Sequence, residues 1–135
     1  MSGFWQKILG GPPELYSIKI IDDAYVSIAW NRSRYFVGPA TLEIREAVEG
    51  YISQGRRLFL FDLRKAQGLN SWSVGFLFGS VASIQKAGGR AVLLLRKNKV
   101  WETLELIGVA DHFTIEFEQD RALDSLCGPS SEGRA

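Results

Sequence analysis

The residues best placed to do chemistry are hydroxyls crowded into one short stretch, Asn70-Ser71-Trp72-Ser73, at the point where an apolar run turns into a helical pattern. A small polar side chain there can cap a helix by accepting backbone N–H bonds. A hydroxyl there can also take a phosphate, whose charge of about −1.5 to −2 would sit beside exposed backbone N–H groups. Trp72 does neither, so its place among them needs a separate reason. Other chemistry is scarce. The one histidine, His112, and the one cysteine, Cys127, leave little for Ser–His–Asp or Cys–His catalysis and exclude His-rich or cysteine-cluster metal sites. His112 has no acid–base partner at motif spacing and reads as a surface residue at the start of the last strand. Cys127 reads as an inert residue of the terminal helix. No glycine-rich phosphate loop is present, Gly68 alone being weak. The expectation is no enzyme, no cofactor and no metal.

Composition bounds the rest. A chain of 135 residues with 46% hydrophobic content builds one compact domain with a real core. With 16 basic against 15 acidic side chains, no global field draws in nucleic acid or an acidic membrane. No apolar run approaches the roughly 18 residues needed to cross a bilayer. The N-terminal stretch lacks the basic and long apolar regions of a secretory signal. A single cysteine fits a reducing compartment, hence a cytoplasmic location.

These residues depend on the elements that hold them. Residues 1–13 form an amphipathic arm, with Phe4, Trp5, Ile8 and Leu9 at helical spacing before the Gly10-Gly11-Pro12-Pro13 break. It reads as packed on the domain surface, with a weak membrane or partner anchor as the alternative. The domain proper spans 14–127. "LYSIKII" and "AYVSIAW" are β-type runs joined at Asp22-Asp23, a hairpin. Pro39 suits a first helical turn, and Ile44, Ala47, Val48, Tyr51 and Ile52 mark one helix face ending near Gly55. "RRLFLFDL" and "GGRAVLLL" are continuous apolar runs, as in strands buried on both faces. The opening stretch leads a helix between them, so the two strands pair in parallel through a right-handed crossover. "KVWETLELIG" is a helix with Asn98 as N-cap and Gly108 as its stop, "FTIEF" a last strand, and "DRALDSL" a closing helix. The tail, 128–135, is polar and reads as disordered. The fold class is α/β, a mixed sheet of four to five strands packed by about four helices.

On a helical wheel, Val74, Leu77, Phe78, Val81 and Ile84 form the core face of the central helix. Trp72, Phe76, Gly79 and Ser83 fall opposite, a stripe of large rings and small residues where a solvated helix would carry charges. Such a stripe marks a contact site for a partner or is covered by the same chain, Phe4 and Trp5 being candidates.

The order of elements, the "LFLFDL" strand, the "NSWSVGFLFGSVASIQKAGGRAVLLL" helix–strand unit and "LELIGVADHFTIEF" together resemble the STAS family, of anti-sigma-factor antagonists and related domains of anion transporters. The resemblance spans about Tyr16 to Leu126 and implies a single STAS-like domain. It also implies that a hydroxyl at the helix start is phosphorylated by a partner that is both serine kinase and anti-sigma factor. The unphosphorylated form would capture this partner and the phosphorylated form release it. This chain departs from the pattern at that loop. Counted back from Gly88-Gly89, Asn70 takes the position of the family's Asp, Ser71 that of its first Ser, Trp72 that of the usual acceptor, and Ser73 that of its Gly. Ser71 and Ser73 are therefore the acceptor candidates, both with helix capping as the plainer role. Asn31-Arg32-Ser33-Arg34 also departs, and reads as a solvated loop or a contact for an acidic partner.

The leading expectation is a non-enzymatic module docking a protein partner through Asn70, Ser71, Trp72, Ser73, Phe76, Gly79, Ser80 and Ser83, with homodimerisation left open. One alternative is a scaffold or regulatory subunit of a stress-signalling or lipid-transport ATPase assembly without phospho-switching. Another is a small-ligand or nucleotide-binding domain using the helix N-terminus as an anion site.

Overall fold

Asp22 and Asp23 both take a φ of 53°, the left-handed conformation that a tight hairpin demands at its central residues and that short acidic side chains tolerate. They join β1 (Tyr16–Ile21) to β2 (Tyr25–Trp30), antiparallel, with Tyr16 opposite Trp30 and Ile21 opposite Tyr25. Arg56 holds this turn from outside, its Nη2 2.6 Å from the Asp23 carboxylate and its Nη1 donating to the Asp23 carbonyl. The structure is a computed structural model that describes residues 15–31 and 39–127. The expected arm at 1–13, the Arg32–Arg34 loop and the tail at 128–135 lie outside those residues.

From there helices and strands alternate: α1 (Pro39–Ser53), β3 (Leu58–Asp62), α2 (Ser71–Lys86), β4 (Arg90–Leu94), α3 (Lys99–Leu106), a 3-10 turn (Ala110–His112), β5 (Thr114–Glu116) and α4 (Gln119–Leu126). The sheet order is β1-β2-β3-β4-β5. The three pairs after the hairpin are parallel, with Val26 opposite Phe59, Phe59 opposite Ala91, and Val92 opposite Thr114. This is the expected α/β domain, a mixed sheet of five strands with four α-helices among the described residues.

Strand alternation divides the core in two. Val26, Ile28, Trp30, Phe59, Phe61, Ala91 and Leu93 point to the face covered by α1, α2 and α3. Leu60, Val92 and Leu94 point to the other face, where Ala122 and Leu126 of α4 meet them, with Tyr25 and Leu123 beside them. The central strands are therefore apolar from Leu58 to Phe61 and from Ala91 to Leu94, because both faces are covered. Full burial of each such side chain is worth about 1.5–3 kcal/mol.

Helix α2 stops because Gly88, at φ 85°, turns the chain and lets the Gly89 N–H reach back to the Ile84 carbonyl at 2.8 Å. Gly89 must itself lack a side chain, since a Cβ there would strike the Arg57 carbonyl. Helix α3 ends the same way at Gly108, φ 77°.

Of the two readings of the second stripe of α2, cover by the same chain holds for all but Trp72, and the partner-surface reading is corrected for the rest. The stripe of Trp72, Phe76, Gly79 and Ser83 does not face outward as a unit. Helix α1 packs on it, Phe76 is buried and belongs to the main core, and Gly79 and Ser83 are half-buried. The reason is that α2 is wedged between the sheet and a neighbouring helix, so it needs two apolar faces. Gly79 is small because the Arg45 guanidinium of α1 lies across it, in the space a Cβ would take. Only Trp72 remains exposed.

Candidate functional site

The site is built on the first turn of α2. Asn70, in extended conformation, is the N-cap, and its Oδ1 accepts the Ser73 N–H at 3.0 Å. Ser73 answers by accepting the Asn70 N–H on its Oγ at 3.3 Å while its own hydroxyl donates to Asn70 Oδ1 at 2.9 Å. This reciprocal box satisfies two of the backbone groups that a helix start leaves open. Ser73 is fully buried, and its hydroxyl is committed to the cap. Ser71, one residue into the helix, is exposed. No acidic side chain stands in this first turn, so the positive end of the helix dipole is unbalanced there.

Trp72 lies over the junction of α2 with α1. Its ring is 57% exposed, yet its Nε1–H donates to the buried Thr41 Oγ1 at 2.9 Å, which fixes the indole in one orientation. Beside it Leu42 is 54% exposed. Together with Arg45, Ser71, Gly75 and Phe76 they line a groove of about 360 Å³. Arg45 is steadied by Glu49, 3.7 Å away on the next turn of α1. The groove is thus an apolar floor and wall with one guanidinium at its side and one free hydroxyl, Ser71, at its lip. Its chemistry is recognition: apolar contact from a held aromatic ring, with a position next to it that a phosphate could occupy.

Of the residues expected here, Asn70, Ser71 and Trp72 come together at the surface. Ser73, Phe76 and Ser80 are inside, and Gly79 and Ser83 sit under α1. The Ser80 Oγ is buried without a hydrogen-bond partner among the described residues. Thr41, Leu42 and Arg45 were not expected at the site. The signal in the sequence was Leu42, an apolar residue lying off the Ile44–Val48–Tyr51 face of its helix.

The remaining reactive groups lie elsewhere. His112 is exposed in the 3-10 turn, its ring centroid 5.6 Å from that of Phe78. Burial pushes the Cys127 thiol above its ordinary range, and nearby Arg90 offsets this only in part, so little thiolate forms at neutral pH. No group of three or more His, Cys, Asp or Glu among the described residues is placed to hold a metal ion, and no helix among them is long and apolar enough to cross a membrane.

A five-stranded sheet opened by an antiparallel hairpin, with three helices on one face and a fourth behind, is the STAS fold, and it is the fold of solved anti-sigma factor antagonists. SpoIIAA of Bacillus in its unphosphorylated form matches with a TM-score of 0.67 and 17% identity, over 81% of this chain and 93% of that one. An anti-sigma factor antagonist from Mycobacterium paratuberculosis gives 0.67 and 16%, over 85% and 97%. RsbS from Moorella thermoacetica gives 0.71 and 16%, over 89% and 98%. At these identities the likeness is one of fold. No family model and no curated protein matches the sequence.

Proposed function

We propose that this chain is a non-enzymatic, cytoplasmic regulatory module that captures a protein partner at the groove between the first turns of α1 and α2. The observation that carries the reading is Trp72: a large ring more than half exposed, yet held by a hydrogen bond to Thr41 beside exposed Leu42. An aromatic anchor already fixed in place loses little entropy on binding, which is what concentrates affinity at one residue. The partner that the family resemblance suggests is an anti-sigma factor with serine kinase activity. The solved forms of SpoIIAA, phosphorylated and unphosphorylated, support a phosphate as the regulatory group in that fold. In this chain Ser71 is the acceptor the geometry favours, because Ser73 is buried and bound into the cap.

The test is titration of a candidate anti-sigma factor kinase with wild type, Trp72→Ala and Ser71→Asp. Trp72→Ala weakens binding by more than about fivefold, about 1 kcal/mol, without unfolding the domain. Ser71→Asp, placing charge against the docked surface, weakens it as well. Unchanged affinity in Trp72→Ala refutes the docking surface.

A second reading is a scaffold that binds constitutively. Trp72 in the position of the usual acceptor favours it, since an indole cannot be switched by phosphate. Mass spectrometry after incubation with the kinase separates the two: phosphate on Ser71 supports the switch, and its absence supports the scaffold.

A further inference from the structure

The loops that follow β3 and β4 open a second cleft, of about 620 Å³, away from the Trp72 groove. Arg64, Lys65 and Gln67 line it from the first loop, and Arg96, Asn98 and Lys99 from the second. Parallel pairing of β3 with β4 sets the two loops side by side at the carboxyl ends of their strands, where open α/β sheets place ligands. Asn98 ties them together, its Nδ2 donating to the Ala66 carbonyl at 3.4 Å while its Oδ1 caps the Val100 N–H of α3 at 3.0 Å. The cleft is therefore a feature held by both loops, with the amino end of α3 on its wall.

Its charge is one-sided. Four of its lining side chains are cations and none is an acid. Arg64 is paired, bonding both oxygens of Asp62 at 3.0 and 2.8 Å, and Lys99 lies 3.5 Å from Glu102 at the surface. Lys65 and Arg96 are exposed and make no ion pair among the described residues. Cations crowded around one opening repel one another, and an anion that bridges them removes this repulsion as well as adding its own attraction. The lining also says what the anion lacks. Ala66 is its one apolar side chain and no aromatic ring borders it, so neither a nucleobase nor a lipid tail would find a wall to stack on.

We propose that this cleft is a binding site for a compact polyanion carrying two or more phosphoryl groups, held between Lys65 and Arg96, with Lys99 and the α3 amino end as further donors. Arg supplies a planar fork to one phosphoryl group and Lys a point charge to the next. The site is separate from the partner groove and needs no partner protein.

Calorimetric titration of the full chain with inorganic pyrophosphate at an ionic strength of about 0.15 M tests it, with sulfate and ADP as comparison ligands. Pyrophosphate binds saturably, at least tenfold tighter than sulfate, and ADP binds within about threefold of pyrophosphate because its base gains no contact. Arg96→Glu and Lys65→Glu each weaken pyrophosphate more than tenfold, whereas Lys19→Glu, an exposed charge on β1, changes it less than twofold. Thermal unfolding of each variant checks that the fold is intact. Absence of saturable pyrophosphate binding, or an equal loss in Lys19→Glu, overturns the site. ADP binding more than tenfold tighter than pyrophosphate overturns the ligand class.

Discussion

The turn into α2 and the turn into α3 are the same device used twice. In each, a buried parallel strand ends, a short loop crosses the top of the sheet, and an asparagine in extended conformation caps the next helix. They differ in what they present. The first sets Trp72 against Thr41 and Leu42, an apolar ring with one hydroxyl beside it. The second presents Arg96 and Lys99 opposite Arg64 and Lys65. The caps differ too. Asn70 is locked in a reciprocal box with a buried serine, while Asn98 caps one N–H and spends its other arm bridging to the neighbouring loop. A single backbone solution thus carries a rigid apolar contact at one junction and a charged cleft at the other. The side chains each loop carries, and a first loop twice as long as the second, set the difference.

The comparison can be broken at the caps. Asn70→Ala removes its own cap and leaves the buried Ser73 O–H without its acceptor, so it costs about 2–3 kcal/mol in urea unfolding. Asn98→Ala loses a simpler cap and a long bridge, and costs about 1 kcal/mol. Equal losses would mean that the box around Ser73 adds nothing.

Charge sharpens the contrast further. The first turn of α3 already holds Glu102, whereas that of α2 holds no acid. Ser71→Asp therefore stabilises the isolated domain by about 0.3–1 kcal/mol, a gain that salt reduces. The same substitution is expected to weaken the partner complex, so opposite signs in the two measurements separate a helix effect from an interface effect.

The smallest effect lies outside both junctions and serves as their control. Burial, then the hydrogen bond to Glu43, raises the Tyr16 phenol, and burial raises the Tyr25 phenol and the Cys127 thiol. Groups whose protonated forms are favoured in the fold contribute stability that is whole below their unfolded values and is lost as pH rises past them. Unfolding free energy should therefore fall from about pH 8.5 upward, first through Cys127 and then, above about pH 10, through the tyrosines. Tyr16→Phe reduces the second fall. The size of the Asn70 and Asn98 losses should stay constant between pH 6 and 8.

Much of the frame was legible from residue types. Asp22-Asp23 marked a hairpin because two adjacent left-handed residues are tolerated by few others. Asn98 and Gly108 bounded α3, because caps and stops are local chemistry. The central helix was misread in one respect. Its wheel showed two apolar stripes, and a wheel records only which residues share a face, not what lies against that face. Phe76 and Gly79 are apolar for α1, with Arg45 filling the space over the glycine.

What the sequence determined by itself was local: where helices start and stop, which strands are buried on both sides, and that Ser71, Trp72 and Ser73 crowd one helix end. Those features depend on backbone propensity and on partners a few residues away. The company each residue keeps was set by packing across the chain. Trp72 is separated from Thr41 by most of α1, a strand and a loop, and Lys65 from Arg96 by a whole helix and strand. Parallel pairing and helix packing bring them together. Long-range contacts of that kind leave no period or spacing in the chain, and both surfaces of this protein are made of them.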